Sequence, residues 1–335
     1  MSVVEQRHLV VVDSIGSLYG NDYEMFGNIN GAYFVDDSTF VVLDKGYNEL
    51  RVFDRECNFI KTVNCQGNGP WECQDAAYLS SLDNTIAVFE FLMPPRAVFF
   101  DSAVNPKRSV VLSGYTALME PSLVDSLTII GSVGSFSEQN GNQFAGIDVC
   151  SWSTITGEKL CEYFSNSIQI DSREGLYSRL VSLELTIAAS SSGYVYVAPS
   201  KNDYKILIYS SEGMLIDSIY QTHERAMRSQ EEILAEWEWR KLRDIHLGDW
   251  IPSEYELEVT QLQVQDSLKY LWVSHGSYFN PSFDVFNLLG DLEFTCTVEG
   301  LPENEIIRFG INDNGILAYT DYCATYPRLY ILEFR

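Results

Sequence analysis

The chain of 335 residues contains no apolar run near the ~18 residues that a helix needs to cross a bilayer, which excludes a helical membrane span. Basic residues are scarce, with 22 Lys and Arg against 47 Asp and Glu and a formal net charge of -25. A surface of that sign repels phosphate backbones and anionic headgroups. Nucleic acid and acidic membranes are therefore poor partners, whereas cations and basic protein surfaces are compatible, and the charge also favours solubility. The four histidines, His8, His223, His246 and His275, are isolated and fit no H-E-x-x-H pattern. The seven cysteines lack the C-x-x-C spacing of a zinc site. No G-x-S-x-G elbow and no recognised cysteine-nucleophile signature occurs, so no catalytic constellation is legible and a binding role is favoured over an enzymatic one. The charged fraction of 21% beside 46% hydrophobic and 13% aromatic residues excludes a solvated disordered chain. Met1 to His8 lacks the basic end and apolar stretch of a secretory signal. The expectation is either a cytoplasmic protein or a chain beginning after a removed leader.

What is present is repetition. Short β-rich runs recur with the grammar turn, strand, loop, strand, turn, strand. One copy runs from Asp36 and Asp37 through Phe40–Asp44, Leu50–Asp54 and Phe59–Val63, and a second follows Asn84 with Ile86–Phe89, Ala97–Asp101 and Ser109–Leu112. A third, looser copy uses Leu127–Ile130, Gly146–Val149 and Lys159–Tyr163. The fourth is the clearest, with Tyr194–Val197, Lys205–Tyr209 and Leu215–Ile219. The fifth uses Tyr270–Val273, Phe283–Phe286 and Leu292–Thr295. The sixth, from Asp313, Asn314 and Gly315 through Ile316–Tyr319 and Arg328–Leu332, lacks a last strand, while an unclaimed one stands at residues 8–15. Six copies about 40 to 50 residues apart, closed by that N-terminal strand, predict an all-β six-bladed β-propeller over residues 1–335 as a single domain.

One segment breaks the β pattern. Ser229 and Glu232 resemble a capping box, and Ile233, Leu234, Trp237, Lys241 and Ile245 fall near one face at helical spacing, with Gly248 as a stop. This predicts an amphipathic helical insertion at about 229–248, between blades 4 and 5, docked through Trp237 and presenting Trp239 to solvent.

The stretch Gln66-Gly67-Asn68-Gly69-Pro70-Trp71-Glu72-Cys73 resembles the G-x-G-P-G-E-F signature of six-bladed propellers abundant in Bacteroidetes, NHL-like or TolB-like proteins that are often lipoproteins of uncharacterised function. Gly67, Gly69, Pro70 and Glu72 match, while Trp71 and Cys73 replace a glycine and an aromatic. The resemblance implies a propeller exported to the periplasm or cell surface and implies no reaction. Physically, two glycines and a proline suit a tight turn between blades; a P-loop would need a following helix and lysine, which are absent.

Cys150 and Cys161 flank a turn at Ser153 to Glu158 in which Gly157 supplies positive φ. If Ser153 pairs with Glu158, the two cysteines face each other, as a cross-strand disulfide or as two buried thiols. Candidate binding residues are the aromatics of suspected loops and the insertion: Trp71, Trp237, Trp239, Trp250, Tyr278 and Phe279, which could stack on a carbohydrate or anchor a protein. No cofactor is required. The enzymatic alternative is a Ca²⁺-dependent hydrolase or lactonase with oxygen ligands converging in the channel, although Asp36, Asp37, Asn84, Asp313 and Asn314 stand where turns want them.

Overall fold

The computed structural model describes residues 4–91, 94–112, 118–170, 183–222, 225–243, 251–322 and 325–335. It has β1 (Glu5–Ile15), then β2 (Ile29–Phe34), β3 (Thr39–Asp44), β4 (Glu49–Asp54) and β5 (Phe59–Asn64) as a first four-stranded sheet. The second sheet holds β6 (Ala76–Leu82), β7 (Thr85–Glu90), β8 (Arg96–Asp101) and β9 (Pro106–Val111), and the third β10 (Leu118–Leu123), β11 (Thr128–Gln139), β12 (Asn142–Ser153) and β13 (Lys159–Ile170). The fourth holds β14 (Thr186–Ala189), β15 (Tyr194–Ala198), β16 (Lys205–Ser210) and β17 (Leu215–Tyr220). After α1 (Gln230–Arg243) come β18 (Leu257–Gln265), β19 (Tyr270–Gly276), β20 (Pro281–Asn287) and β21 (Leu292–Glu299), then β22 (Ile306–Asn312), β23 (Gly315–Tyr322) and β24 (Leu329–Phe334).

β1 runs antiparallel to β24, with Leu9 opposite Phe334 and Ile15 opposite Leu329. It also runs parallel to β21, Glu5 opposite Phe294 through Val10 opposite Glu299. This second pairing has no counterpart in the repeat grammar, and it merges the last two groups into one eight-stranded sheet. The apolar cores lie between successive groups. Leu43, Val52 and Val88 join the first to the second, Phe99 and Trp152 the second to the third, and Val149 and Tyr209 the third to the fourth. Tyr196 and Phe286 join the fourth to the fifth and Phe283 and Phe309 the fifth to the sixth. Phe34 and Leu317 return the circle from the sixth to the first. The first strands of the groups touch in the same order, β2 to β6, β10, β14, β18, β22 and back to β2. Sheets that alternate apolar faces around a ring leave the innermost strands lining an axial space.

The third group departs from the others. Its strands β11, β12 and β13 are twelve residues each, and β10 pairs only as far as Val133 of β11. A three-stranded tongue, Gly134–Gln139 with Asn142–Ile147 and Asn166–Ile170, therefore extends past the ring.

The expected facing of Cys150 and Cys161 is corrected. The turn forms, with the Ser153 amide donating to the Glu158 carbonyl at 2.9 Å and Gly157 at φ 72. A bulge then skips Leu160, so Cys150 lies opposite Glu162 and Cys161 opposite Ser151. One extra residue moves every side chain beyond it to the other face. Cys150 packs in the core beside Trp152 and Cys161 against the core on the other face, both as free thiols. Cys323 lies outside the described residues.

Candidate functional site: the axial cavity beside the helix

Along the axis lies a cavity of about 890 Å³ lined from all six innermost strands, among them Asn30 of β2, Ser80 of β6, Glu120 of β10, Thr186 of β14, Gln261 of β18 and Arg308 of β22. Alternation in each strand sends one set of side chains into the channel and the other into the inter-sheet cores. α1 adds Trp239 and Arg240 to the lining at one end, and the tongue adds Phe136. Phe91 joins the same lining, and both phenylalanines stay exposed, Phe136 at 62% and Phe91 at 46%.

The helix sits here by its charges. Ser229 Oγ accepts the Glu232 amide at 3.1 Å, capping the N-terminus. Glu232, Glu236, Trp239 and Arg240 form the buried face, at spacings of four, seven and eight. Arg228 donates to Glu232 at 3.0 Å and to Glu236 at 2.7 Å; Arg240 donates to Glu236 at 3.2 Å and to Glu184 at 2.6 Å. Glu232 further accepts from Ser277 Oγ and from the Tyr278 amide. Lys201 Nζ closes the chain at 3.1 Å from Glu184. Burial opposes the ionisation of Glu184, and the charges of Lys201 and Arg240 overcome it, holding its carboxyl well below the usual carboxylate range.

This overturns the expected orientation of the helix. Trp239 is 4% exposed, packs against Tyr278 with ring centroids 6.0 Å apart, and lies near the Arg308 guanidinium. Trp237 is 38% exposed under the Lys241 ammonium, and Leu234 is exposed beside it. An apolar-spacing argument assumes an apolar dock; here the dock is a channel end lined with charge, so the Glu and Arg face turns inward. Tyr278 is buried and Phe279 half-buried. Trp71 is exposed at a turn away from the lining, while Trp250, His223, His246 and the predicted stop Gly248 lie outside the described residues.

The Gly67 motif is a closed turn between β5 and β6. Glu72 accepts the Gly69 amide at 2.8 Å, and Arg96 donates to the Gly69 and Glu72 carbonyls. Gly67 is at φ 148, and a Cβ there would overlap the Glu72 carboxylate. Gly67, Gly69 and Glu72 thus pack on one another, and Arg96 ties the turn to β8.

The suspected calcium positions are likewise turn makers. Asp36 accepts from the amides and hydroxyls of Ser38 and Thr39, and Asp313 accepts the Ser267 amide at 2.8 Å. Asp83, Asp266 and Asp313 follow β6, β18 and β22 and line the cavity end away from α1. Among the described residues, no three His, Cys, Asp or Glu side chains are grouped to hold a metal. His275 approaches Asp284, which accepts the Tyr204 hydroxyl at 2.7 Å; these three tie the fourth group to the fifth, outside the lining. The sequence reading missed Glu120, Phe91, Phe136, Arg240 and Arg308. Their convergence depends on the second, third and sixth groups of strands and the helix, and no local motif carries it.

Four-stranded sheets arranged radially around a channel define a β-propeller. No family model matches the chain, and no curated protein matches it in sequence. Among solved structures it is similar to a member of the DUF4221 family from Bacteroides vulgatus, with a TM-score of 0.52 and 10% identity over 99% of this chain and 98% of that one. A Bacteroides fragilis protein provisionally classed as exported gives 0.51 and 11% over 99% of each chain. U3-55K gives 0.50 and 8% over 94% of this chain and 97% of the other. At such identities the likeness is one of fold. Among the described residues no helix is long and apolar enough to cross a membrane.

Proposed function

We propose that the chain is a six-bladed propeller, exported from the cytoplasm, that binds a ligand in the end of its channel beside α1 and catalyses no reaction there. One observation carries this reading: a cavity of about 890 Å³, within the range of small-molecule sites, collects polar side chains from every innermost strand and aromatic ones from the tongue and the helix. Inserted elements on a rigid scaffold commonly carry function, and both of this ring's departures from regularity, α1 and the tongue, contribute to the same lining. Export is supported by the provisional class of the similar Bacteroides fragilis protein and by the resemblance of the Gly67 turn.

The test is a fluorescence and thermal-shift screen of oligosaccharides, short peptides, amines and Ca²⁺ against the wild type and Ser122→Trp. Ser122 lines the cavity, so a tryptophan there fills the channel. Hits abolished by the substitution support the reading. Hits that persist unchanged place binding on the outer blades and overturn it.

A further inference from the structure

We propose that this cavity recognises a cation, an organic ammonium or guanidinium group on an apolar body, with Glu120 as the residue that binds the charge; the inference rests on the ligand-binding reading above. At the α1 end each cation has an acid of its own. Arg228 meets Glu232 at 3.0 Å, Arg240 meets Glu236 at 3.2 Å, Lys201 meets Glu184 at 3.1 Å and Arg308 meets Asp321 at 3.1 Å. Of the acids that line this end, Glu184, Asp321 and Glu120, Glu120 has the weakest hold on a cation, because it shares Arg308 with Asp321. Its ion pair is the long one to Arg308 Nη1 at 3.7 Å, with Arg308 Nε already committed to Asp321 at 3.1 Å, and Glu120 accepts no hydrogen bond among the described residues. Its side chain keeps 31% exposure and lines the cavity.

The backbone at Glu120 is independent support. The residue has φ 47, in the left-handed region that a non-glycine residue rarely adopts, and it sits where the pairing of β10 with β11 breaks between Met119 and Ser122. Such a conformation is costly and persists where the surroundings enforce it, which is common at binding sites. The irregularity re-aims one side chain of an innermost strand.

The surroundings suit a cation with an apolar body. The exposed rings of Phe136 and Phe91 stand in the same lining, and an aromatic face attracts a cation within about 6 Å of its centroid. Three further acids without a cation beside them in the lining, Asp83, Asp266 and Asp313, occupy the far end. The chain's net charge of -25 adds a long-range field of the same sense.

Three probes with one body separate charge from burial: 4-phenylbutylamine, 4-phenylbutan-1-ol and 4-phenylbutyrate, titrated calorimetrically at low salt into the full chain. The amine is expected to bind about tenfold tighter than the acid, with the alcohol between. Glu120→Gln should erase the advantage of amine over alcohol. Glu120→Asn repeats the test with a side chain that tolerates positive φ, and a thermal melt establishes that each variant is folded. An acid that binds as tightly as the amine, or an amine advantage that survives both variants, overturns the cation proposal while the cavity reading stands. If none of the three probes binds the wild type, the cavity reading falls and this proposal with it.

Discussion

Arg240 of α1 grips Glu184, two residues ahead of β14, through both of its terminal nitrogens, one of them 2.6 Å from the carboxylate. This bidentate pair ties α1 to the start of the innermost strand of the fourth group, and with Lys201 it keeps Glu184 ionised. A carboxyl with a lowered folded-state pKa adds stability above its unfolded value and loses it as pH falls through the folded value. The environment of Trp239 should therefore stay native through the ordinary carboxylate range and loosen only at more acidic pH. Near-UV circular dichroism of the wild type and Glu184→Gln checks this. The variant should show a weaker tryptophan signal at neutral pH and little of the acid transition that the wild type shows.

The two helix tryptophans give a second prediction. Trp239→Ala removes a buried indole and should cost about 3–5 kcal/mol, whereas Trp237→Ala, at 38% exposure, should stay near about 0.5 kcal/mol. Chemical denaturation of both variants measures the difference. Equal losses would mean that the helix docks on its other face.

Where the sequence was readable, local chemistry was the reason. Gly157, Gly213 and Gly290 mark hairpins at φ 72, 80 and 97, alternating apolar runs mark the strands, and Ser229 caps a helix where it was expected. The docking face of that helix was not readable, because apolar spacing presumes an apolar partner and the partner is Glu184, Ser277 and the Tyr278 amide. The bulge at Leu160 was invisible because the turn before it formed as expected. The tongue was not read as strands, because the stretch from Gly134 to Gln143 is polar and carries no apolar alternation, and the third copy was drawn only from Leu127–Ile130, Gly146–Val149 and Lys159–Tyr163. Glu120 could be found only after six innermost strands had been brought around one axis.

The cysteines yield a third prediction. Cys150 is buried, with burial pushing its thiol up to about 11, and burial also raises Cys65 and Cys296 to about 12. Cys161 is half-buried on the opposite face from Cys150. Brief alkylation of the native protein at neutral pH should label Cys161 well before these three, since attack requires access and a thiolate. Mass mapping after oxidant should find no bridge between Cys150 and Cys161.

A fourth prediction separates the two pairings of β1. Deleting residues 1–8 removes most of the parallel pairing with β21 and spares most of the antiparallel pairing with β24. The loss should be small, because Val4, Glu5 and Gln6 are exposed and Arg7 and His8 only half-buried. Deleting residues 1–15 also removes the fully buried Leu9 and the buried Ile15, uncovers the edge of β24, and should lower the thermal midpoint by roughly 10 °C or more. Equal effects would show that the strand contributes mainly along β21.

The closure of the ring can be tested at one atom. β22 passes β2 so closely at Gly310 that a Cβ there would collide with the Ala32 carbonyl, a backbone atom that cannot swing aside. Gly310 carries no positive φ, so an alanine would meet no conformational penalty of its own. Gly310→Ala therefore isolates the approach of the last group to the first. Overpacking of this kind costs about 1–3 kcal/mol, more where the obstacle is backbone. Gly141, at the tip of the tongue, has nothing within 4 Å of the corresponding position but lies at φ 81. Gly141→Asn, which suits that backbone, is the matched control and should leave stability nearly unchanged. Denaturation midpoints of the two variants decide the matter. A clear loss at Gly310 beside a neutral change at Gly141 means that the first and last groups meet in solution. No loss at Gly310 would mean that the two inner strands stand apart, and a channel lined from every side would not form.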